Sequence, residues 1–235
     1  MYGMYYNLDY LIYILPGFLL ALYAQSKIRA NFDKYSRVTN REGLTGRSVA
    51  EAILKNHGIY DVTIDRVRGS LTDHYDPRTK TVNLSDPVYN ATSVAALGVA
   101  AHECGHAIQH AKSYAPLSIR SALVPIANFG SMLAWPVILI GLLFNTRSSG
   151  LIIDIGILLF SAAVLFQLVT LPVEFDASRR ALVMLRTQGI LADDELRYTR
   201  RVLKSAALTY VASAAAAILQ LLRIILITNG RRRDD

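Results

Sequence analysis

The sequence predicts an α-helical integral membrane protein with about four transmembrane helices and a smaller α+β part outside the bilayer. Hydrophobic residues make up 52% of the 235 residues. Three long runs, residues 122–144, 151–173 and 206–228, contain at most one charged residue each. About 20 mostly apolar residues are enough to cross the hydrocarbon core, so all three runs qualify as transmembrane helices. The segments 25–121 and 174–205 instead mix charged residues with helix and strand patterns.

A fourth apolar run, at about residues 8–24, is shorter and contains Pro16-Gly17. We expect a retained transmembrane helix rather than a cleaved signal peptide, because no basic region precedes the run and no small-x-small cleavage motif follows it. Its tyrosine-rich start would suit an aromatic belt at the headgroups, through Tyr2, Tyr5, Tyr6 and Tyr10. The spans and the two charged segments are expected to form a single domain over residues 1–235.

The distribution of Lys and Arg predicts how the protein is oriented in the membrane. Basic residues are frequent in segments 25–121 and 174–205, whereas the opposite side would carry only Arg147 and the tail arginines at 231–233. We therefore expect a multi-pass protein of the cell membrane with both segments in the cytoplasm. The arginine tail does not fit this rule, which leaves open whether the last run crosses completely.

A nucleic-acid partner is not expected, although the net charge of the chain is +7. A nucleic-acid-binding surface needs more than positive charge, and the chain shows neither stacking aromatic residues beside its basic ones nor a known binding motif. The expected partners are the lipid bilayer and polypeptides.

The segment before the second apolar run predicts alternating helices and strands. A helical face of apolar residues ends at Gly58, which occupies a helix-stop position. Asp76-Pro77 is a turn signal between two stretches that alternate in polarity, so this part predicts a β-hairpin. In chain order we expect a helix at residues 45–57, a strand at 62–64, a hairpin within 69–85 and a helix within 93–113.

The last of these helices carries His102-Glu103-Cys104-Gly105-His106. On a helix the two histidines lie one turn apart on the same face, where both imidazoles can reach one tetrahedral zinc ion. Glu103 is offset by about 100°, which places it where it can take a proton from water. The alternative is polar residues on a surface helix. Small apolar residues surround the motif, however, and buried His and Glu side chains without partners would be costly.

A catalytic zinc site needs a third protein ligand. His110 lies about 6 Å farther along the helix axis than His106, too far to share the ion. Glu174 is the better candidate, because it lies where the third apolar run ends and an amphipathic helix is predicted to begin. A membrane hairpin of the second and third runs would return it to the first segment. Asp176 is the rival carboxylate. Glu174 could instead be an interfacial carboxylate that balances the two arginines following it.

Five stretches, in order from about residue 44 onward, resemble the YugP-type membrane zinc metallopeptidases. They are "LTGRSVAEAILKNHGIYDVTI", "LTDHYDPRTKTVNLS", "VAAHECGHAIQH", "PVEFDASRRALVML" and "AALTYVASAA". More distantly the chain is similar to the HtpX and CAAX-prenyl-protease group, whose second motif is Glu-x-x-Ala-Asp. Here Glu174 matches the third ligand, but Ser178 stands where that group has Asp. Either Ser178 or Asp176 could support a ligand histidine.

The resemblance implies a zincin-like, gluzincin-type zinc endopeptidase, in which His102, His106 and Glu174 bind the metal. Zinc would lower the pKa of bound water and polarise the scissile carbonyl, while Glu103 takes the proton and passes it to the leaving amine. His74, Tyr75 and Arg179 are candidates for a second oxyanion donor. The other functional hypothesis is a catalytically silent zinc-binding membrane adaptor or chaperone-like subunit. A structural zinc site needs no general base, so Glu103 favours the enzyme.

The expected substrates are membrane-associated or unfolded polypeptides, in membrane-protein quality control or processing. One strand of the hairpin should form a sheet edge beside the metal, because extended peptides bind such edges by adding a strand. The strand at about residues 61–68 is the alternative edge. Thr81, in the hairpin, is the position where a proline is expected to test this mode of binding.

Overall fold

The computed structural model describes residues 2–143 and 149–234, which form seven α-helices and three β-strands. The mostly helical fold with a small sheet agrees with the sequence prediction. In chain order the elements are α1 (Tyr2–Tyr35), α2 (Gly46–Asn56), β1 (Thr63–Val67), β2 (His74–Asp76), β3 (Thr81–Ser85), α3 (Asp86–Tyr89), α4 (Val94–Ala111), α5 (Ala115–Leu143), α6 (Ser149–Thr187) and α7 (Asp193–Asp234).

The chain divides into two compact units, each assembled from separate stretches. The first unit contains Met1–Tyr23, Ile119–Leu171 and Tyr210–Asp235, and the second contains Ala24–Ser118 and Pro172–Thr209. The second unit therefore joins two stretches that are far apart in sequence, and these are the two stretches that carry the HExxH motif and Glu174.

Three helices in the described part of the chain are long and apolar enough to cross a membrane. They are α5, α6 and the portion Asp193–Thr228 of α7, and each contains an 18-residue stretch with a mean hydropathy of 1.9, 2.4 and 2.0 respectively. The three long apolar runs are thus confirmed as candidate spans. The fourth run lies within α1, and its crossing of the bilayer stays a prediction. Arg147 lies outside the described residues, as do the side chains of the N-terminal tyrosines and of residues 231–233.

Within the first unit, α5 and α6 approach each other closely at a glycine. A Cβ atom on Gly130 would lie 2.5 Å from the carbonyl oxygen of Leu159, so any larger residue would collide with the backbone of α6. Small residues at such crossings let transmembrane helices pack by van der Waals contact, which stands in for the missing hydrophobic effect.

The long helices continue past the ends of the apolar runs. The sequence pattern places a new helix at about Glu174, but α6 is continuous over 39 residues and has Pro172 in its interior. Proline removes one backbone donor and commonly kinks or ends a helix. Here the helix continues through Pro172. The change from apolar to charged residues therefore occurs within one helix and does not mark the start of a new one.

The sheet lies in the second unit and has the strand order β1-β3-β2. β2 and β3 form the predicted antiparallel hairpin, with Tyr75 opposite Val82. β1 pairs with β3 in parallel, with Ile64 also opposite Val82. β3 is therefore the central strand, and Thr81 at its start is paired on both sides. The expectation that a proline at Thr81 would probe a free edge is wrong, because the sheet edges are β1 and β2.

The helix α4 forms the centre of the core of the second unit. It packs against α2, α3 and the strands β2 and β3. The side-chain hydroxyl of Ser93 caps its start by accepting a hydrogen bond from the Ala96 N–H. Most of its residues are buried, as the apolar surroundings of the motif predict, and its core members are Val94, Ala95, Ala96, Leu97, Ala100, Ala101, Cys104, Ala107 and Ile108.

Candidate metal centre

The helix α4 places His102 and His106 side by side, one turn apart. Their ring centroids are 4.8 Å apart and the rings are nearly perpendicular, at 85°. His106 is buried and His102 is partly buried, so neither imidazole is a freely solvated surface group. The geometry expected from the spacing of the motif is therefore present.

Glu174, on α6, meets these two histidines. Its Oε2 atom lies 3.3 Å from His102 Nε2 and 3.6 Å from His106 Nε2. The side chain is buried, with 2% of the residue exposed. Among the residues that the structure describes, these three form the one group of His, Cys, Asp or Glu whose ligand atoms all lie within 4.8 Å of one another.

The spacing of these atoms suits a zinc ion. Zinc–nitrogen and zinc–oxygen bonds of about 2.0–2.2 Å in a tetrahedron put neighbouring ligand atoms about 3.3–3.6 Å apart. The two measured nitrogen–oxygen distances, 3.3 Å and 3.6 Å, match that separation. Two imidazoles and one carboxylate are also the donor set of one common class of catalytic zinc site, which keeps a fourth position open.

Each histidine has a partner on its other ring nitrogen. His102 Nδ1 lies 3.1 Å from Ser178 Oγ, and His106 Nδ1 lies 3.0 Å from Gln109 Oε1. Such partners orient the ring and leave Nε2 for the metal. Of the two candidates left open by the sequence, Ser178 contacts a histidine directly. Asp176 does so only through Gln109.

The partners of Asp176 differ from those of Glu174. Its carboxylate accepts hydrogen bonds from Arg179, Arg180 and Gln109. Side chains two residues apart on a helix point in widely different directions, so the two carboxylates cannot both reach the same metal position. Asp176 lies outside the group of converging ligand atoms.

The close contact between α4 and α6, the two helices that carry the candidate ligands, occurs at Gly105. A Cβ atom on this residue would lie 2.8 Å from the carbonyl oxygen of Ala177 and 3.1 Å from its Cα. The neighbouring atoms belong to the backbone of α6, which cannot move aside as a side chain can. Gly105 therefore lets Glu174 come within reach of both histidines.

Glu103, between the histidines in sequence, is buried, with 7% of the residue exposed. Burial raises the pKa of its carboxyl above the ordinary value, against the opposing effect of the nearby imidazoles. A carboxylate with a raised pKa is a stronger base. Burial tends to lower the pKa of His106, but its hydrogen bond to Glu174 and the charge of that residue raise it overall. Protons therefore compete with a metal ion for this site.

The remaining polar candidates lie elsewhere. His110 Nδ1 is 2.8 Å from the hydroxyl oxygen of Tyr75, on β2, and His110 is not among the converging ligands. His74 Nδ1 lies 2.9 Å from the carbonyl oxygen of Thr72. Arg179 is paired with Asp176, so each candidate oxyanion donor has another partner. Cys104 is buried, and burial raises the pKa of its thiol, as expected of a packing residue.

The chain is similar in sequence to proteins of a known family. Residues 10–229 match the family described as "Putative neutral zinc metallopeptidase". The chain belongs to this family. A Bacillus subtilis protein named "Putative membrane protease YugP" is 47% identical over 213 residues, which are 90% of this chain and 93% of that protein. No solved structure matches the chain.

Membership in the neutral zinc metallopeptidase family confirms the resemblance noted in the sequence, and it makes zinc the cofactor of this chain. The chain is thus a member of a zinc metallopeptidase family and a homologue of a protein named as a membrane protease, and it has three helices that are long and apolar enough to cross a membrane. One residue that contacts this site is not predicted from the sequence. Gln109 is fully buried and contacts His106, but a glutamine three residues after a histidine carries no recognisable signal.

Proposed function

We propose that this protein is a multi-pass integral-membrane endopeptidase in which His102, His106 and Glu174 bind zinc and Glu103 is the general base. The supporting observation is the convergence of two imidazole nitrogens and one carboxylate oxygen, at 3.3 Å and 3.6 Å, beside a buried glutamate. In this proposal the second unit has a zincin-like arrangement of the gluzincin type. α1 supplies a fourth span, within one domain over residues 1–235.

Zinc bound at these residues supplies a Lewis acid that lowers the pKa of water and polarises a carbonyl oxygen. The side chains of the protein then handle the proton. Glu103 takes it from the attacking water onto a carboxylate oxygen and delivers it to the nitrogen of the leaving amine. Burial of Glu103 favours the first step, because it raises the pKa of the carboxyl and so makes the carboxylate a stronger base towards the water.

The substrate is expected to be an extended polypeptide that adds a strand to the sheet. β2 is the better-placed edge, because it packs against α4, whereas β1 packs against α2 and α3. Main-chain hydrogen bonds bind peptides with little demand on their sequence. This suits membrane-associated or unfolded substrates and a role in membrane-protein quality control or processing. The site is proposed to lie on the cytoplasmic side, where the flanking basic residues are concentrated.

Proline substitutions along β2 test this mode of binding. Proline removes a backbone donor, so replacements at positions 74–76 whose N–H faces away from β3 should raise KM while zinc content stays unchanged. Arg66→Pro, on the other edge strand β1, is the control and should leave KM unchanged. Its N–H points away from β3, because backbone groups alternate along a strand and the Thr63 N–H donates to Lys80 on the β3 side. Undiminished cleavage by every β2 variant that folds would exclude strand addition at this edge.

A Glu103→Gln variant tests the enzymatic function. Purified full-length protein should contain one zinc per chain with or without the substitution, whereas peptide cleavage should fall by about 10²–10⁴-fold, the usual contribution of a general base. Glu195→Gln removes the charge of another buried carboxylate, which accepts hydrogen bonds from the backbone of Arg41 and Ala192, and should retain cleavage. Zinc without cleavage in the unsubstituted protein would point to the silent adaptor instead.

A further inference from the structure

We infer that Gln109 is a positioning residue that fixes which nitrogen of His106 faces the metal and holds the segment of α6 that carries Glu174. The inference rests on the proposed function, since it assigns a role towards the zinc of that site. Gln109 is fully buried and lies on α4, one turn beyond His106. Nothing in the HExxH motif specifies it.

The orientation of the Gln109 amide follows from its neighbours. Its nitrogen lies 2.9 Å from the carbonyl oxygen of Val173 and 3.0 Å from Asp176 Oδ2. A carbonyl oxygen can only accept a hydrogen bond, and an ionised carboxylate is likewise only an acceptor. The Asp176 carboxylate also accepts hydrogen bonds from Arg179 and Arg180, so it is an acceptor for several donors at once. Both acceptors therefore require the NH₂ group of Gln109 on this side, which turns its oxygen towards His106.

This orientation sets the tautomer of His106. Gln109 Oε1 lies 3.0 Å from His106 Nδ1 and can only accept, so Nδ1 must carry the hydrogen. A neutral imidazole with Nδ1 protonated has its lone pair on Nε2, the atom that lies 3.6 Å from Glu174 Oε2. The partner of His102 imposes no such restriction, because the Ser178 hydroxyl can donate or accept.

The same amide connects the two helices that carry the ligands. Its two donors bind Val173 and Asp176, one residue before and two residues after Glu174 on α6. Its acceptor binds His106 on α4. The buried side chain of Gln109 thus fixes the imidazole ring of His106 and also the turn of α6 that carries Glu174.

Zinc affinity is the measurement that tests this role. The zinc dissociation constant is determined by competition with a chromophoric chelator, on full-length protein in detergent, for the wild type and for Gln109→Met, which keeps the size and removes the polar atoms. We expect zinc binding to weaken by about 10–100-fold, the usual effect of losing a group that orients a metal ligand. The d–d absorption of the cobalt-substituted protein should change as well, which a purely structural role would leave unaltered.

Thr199→Val is the matched control. Thr199 is fully buried, and its hydroxyl donates to the carbonyl oxygen of Val94 at the start of the same helix α4, far from the histidines. The variant also removes a buried hydrogen bond between helices, and it should change zinc affinity by no more than about twofold. Equal zinc affinities of the Gln109→Met and wild-type proteins, or equal losses in the Met and Val variants, would overturn the inference.

A charge exchange provides a second test that does not depend on the methionine variant. Gln109→Glu places a carboxylate against that of Asp176 and should weaken zinc binding strongly. Adding Asp176→Asn supplies an NH₂ group that can donate to the new carboxylate, so the double variant should regain at least about tenfold of the lost affinity. A double variant no better than Gln109→Glu alone would contradict the inference. Wild-type protein that bound no zinc would instead refute the proposed function, and the inference with it.

Discussion

The two acidic residues on one turn of α6 have opposite surroundings. Glu174 is buried and its Oε2 atom faces two imidazoles, whereas Asp176 is surrounded by Arg179, Arg180 and the amide of Gln109. A carboxylate that neutralises two guanidinium groups has its acceptor sites occupied, so it is poorly suited to bind a metal. Glu174 is therefore the carboxylate that the geometry offers to zinc.

Substitution of each acid in turn tests that assignment. Glu174→Ala should lower zinc affinity at least about tenfold more than Asp176→Asn, because the first change removes a ligand and the second only a partner of Gln109. Zinc per chain and the dissociation constant are measured on protein whose folding is verified by circular dichroism. If Glu174→Ala bound zinc as tightly as the parent while the Asp176 variant lost it, the third ligand would have to be reassigned.

The candidate ligand residues are easier to recognise in the sequence than the side chains that contact them. The spacing of His102 and His106 is local, so helical geometry alone brings them together. The partners of Gln109 lie 64 and 67 residues away, on α6, and nothing near Gln109 in sequence indicates them. The same holds for Ser178, whose contact with His102 joins residues 76 positions apart.

The contact between α4 and α6 depends on glycine at one position. Gly105 meets the backbone of Ala177, while Gly98, two turns earlier on α4, faces the side chain of Thr199. A Cβ at either position would be too close, at 2.8 Å from Ala177 O and 2.5 Å from Thr199 Cγ2 respectively. An added methyl group would thus meet rigid backbone at Gly105 but a replaceable side chain at Gly98, so the two positions on α4 can be compared.

We expect Gly105→Ala to separate the two ligand helices and abolish tight zinc binding, with a loss of stability of about 1–3 kcal/mol from overpacking. Gly98→Ala is the control. Combining it with Thr199→Ser, which removes the obstructing methyl group and keeps the hydroxyl that donates to Val94, should restore its stability while zinc binding is kept throughout. The measurements are thermal unfolding and zinc content of each variant. A Gly105→Ala protein with unchanged zinc affinity would show that this close approach does not govern the site.

Element types were largely predictable, but their extents and partners were not. The hairpin β2–β3 follows from a turn signal and alternating polarity, both local patterns. The parallel pairing of β1 with β3 joins strands on either side of β2, and no local pattern specifies such a pairing. The continuity of α6 through Pro172 is also not predicted, because the change from an apolar to an amphipathic pattern at Glu174 is typical of the start of a new helix.

At the scale of the whole molecule, the apolar and the charged parts of the chain form separate compact units. Exposed large apolar side chains are concentrated on the long helices, as expected for surfaces that contact lipid, and examples are Phe129, Met132, Leu151 and Leu158. The sequence anticipated this division from hydropathy and charge. It could not establish which side of the membrane holds the metal centre.

Cysteine labelling tests the proposed orientation. Single cysteines are introduced in a Cys104→Ala background at Glu42, which is exposed, and at Ser148, which lies outside the described residues. Ser36 is less suitable, because its hydroxyl oxygen is buried. An impermeant reagent applied to intact cells should modify only position 148, because the basic residues predict a cytoplasmic location for Glu42. Labelling at position 42 alone would invert the orientation.

The central claim is that one zinc ion is bound jointly by α4 and α6. X-ray diffraction of crystals of the purified protein, recorded on both sides of the zinc absorption edge, locates the ion and its ligands directly. The account predicts one anomalous peak per chain, within about 2.0–2.2 Å of His102 Nε2, His106 Nε2 and a carboxylate oxygen of Glu174. A peak bound by Asp176 or His110 in place of Glu174, or no zinc peak between the two histidines, would contradict it.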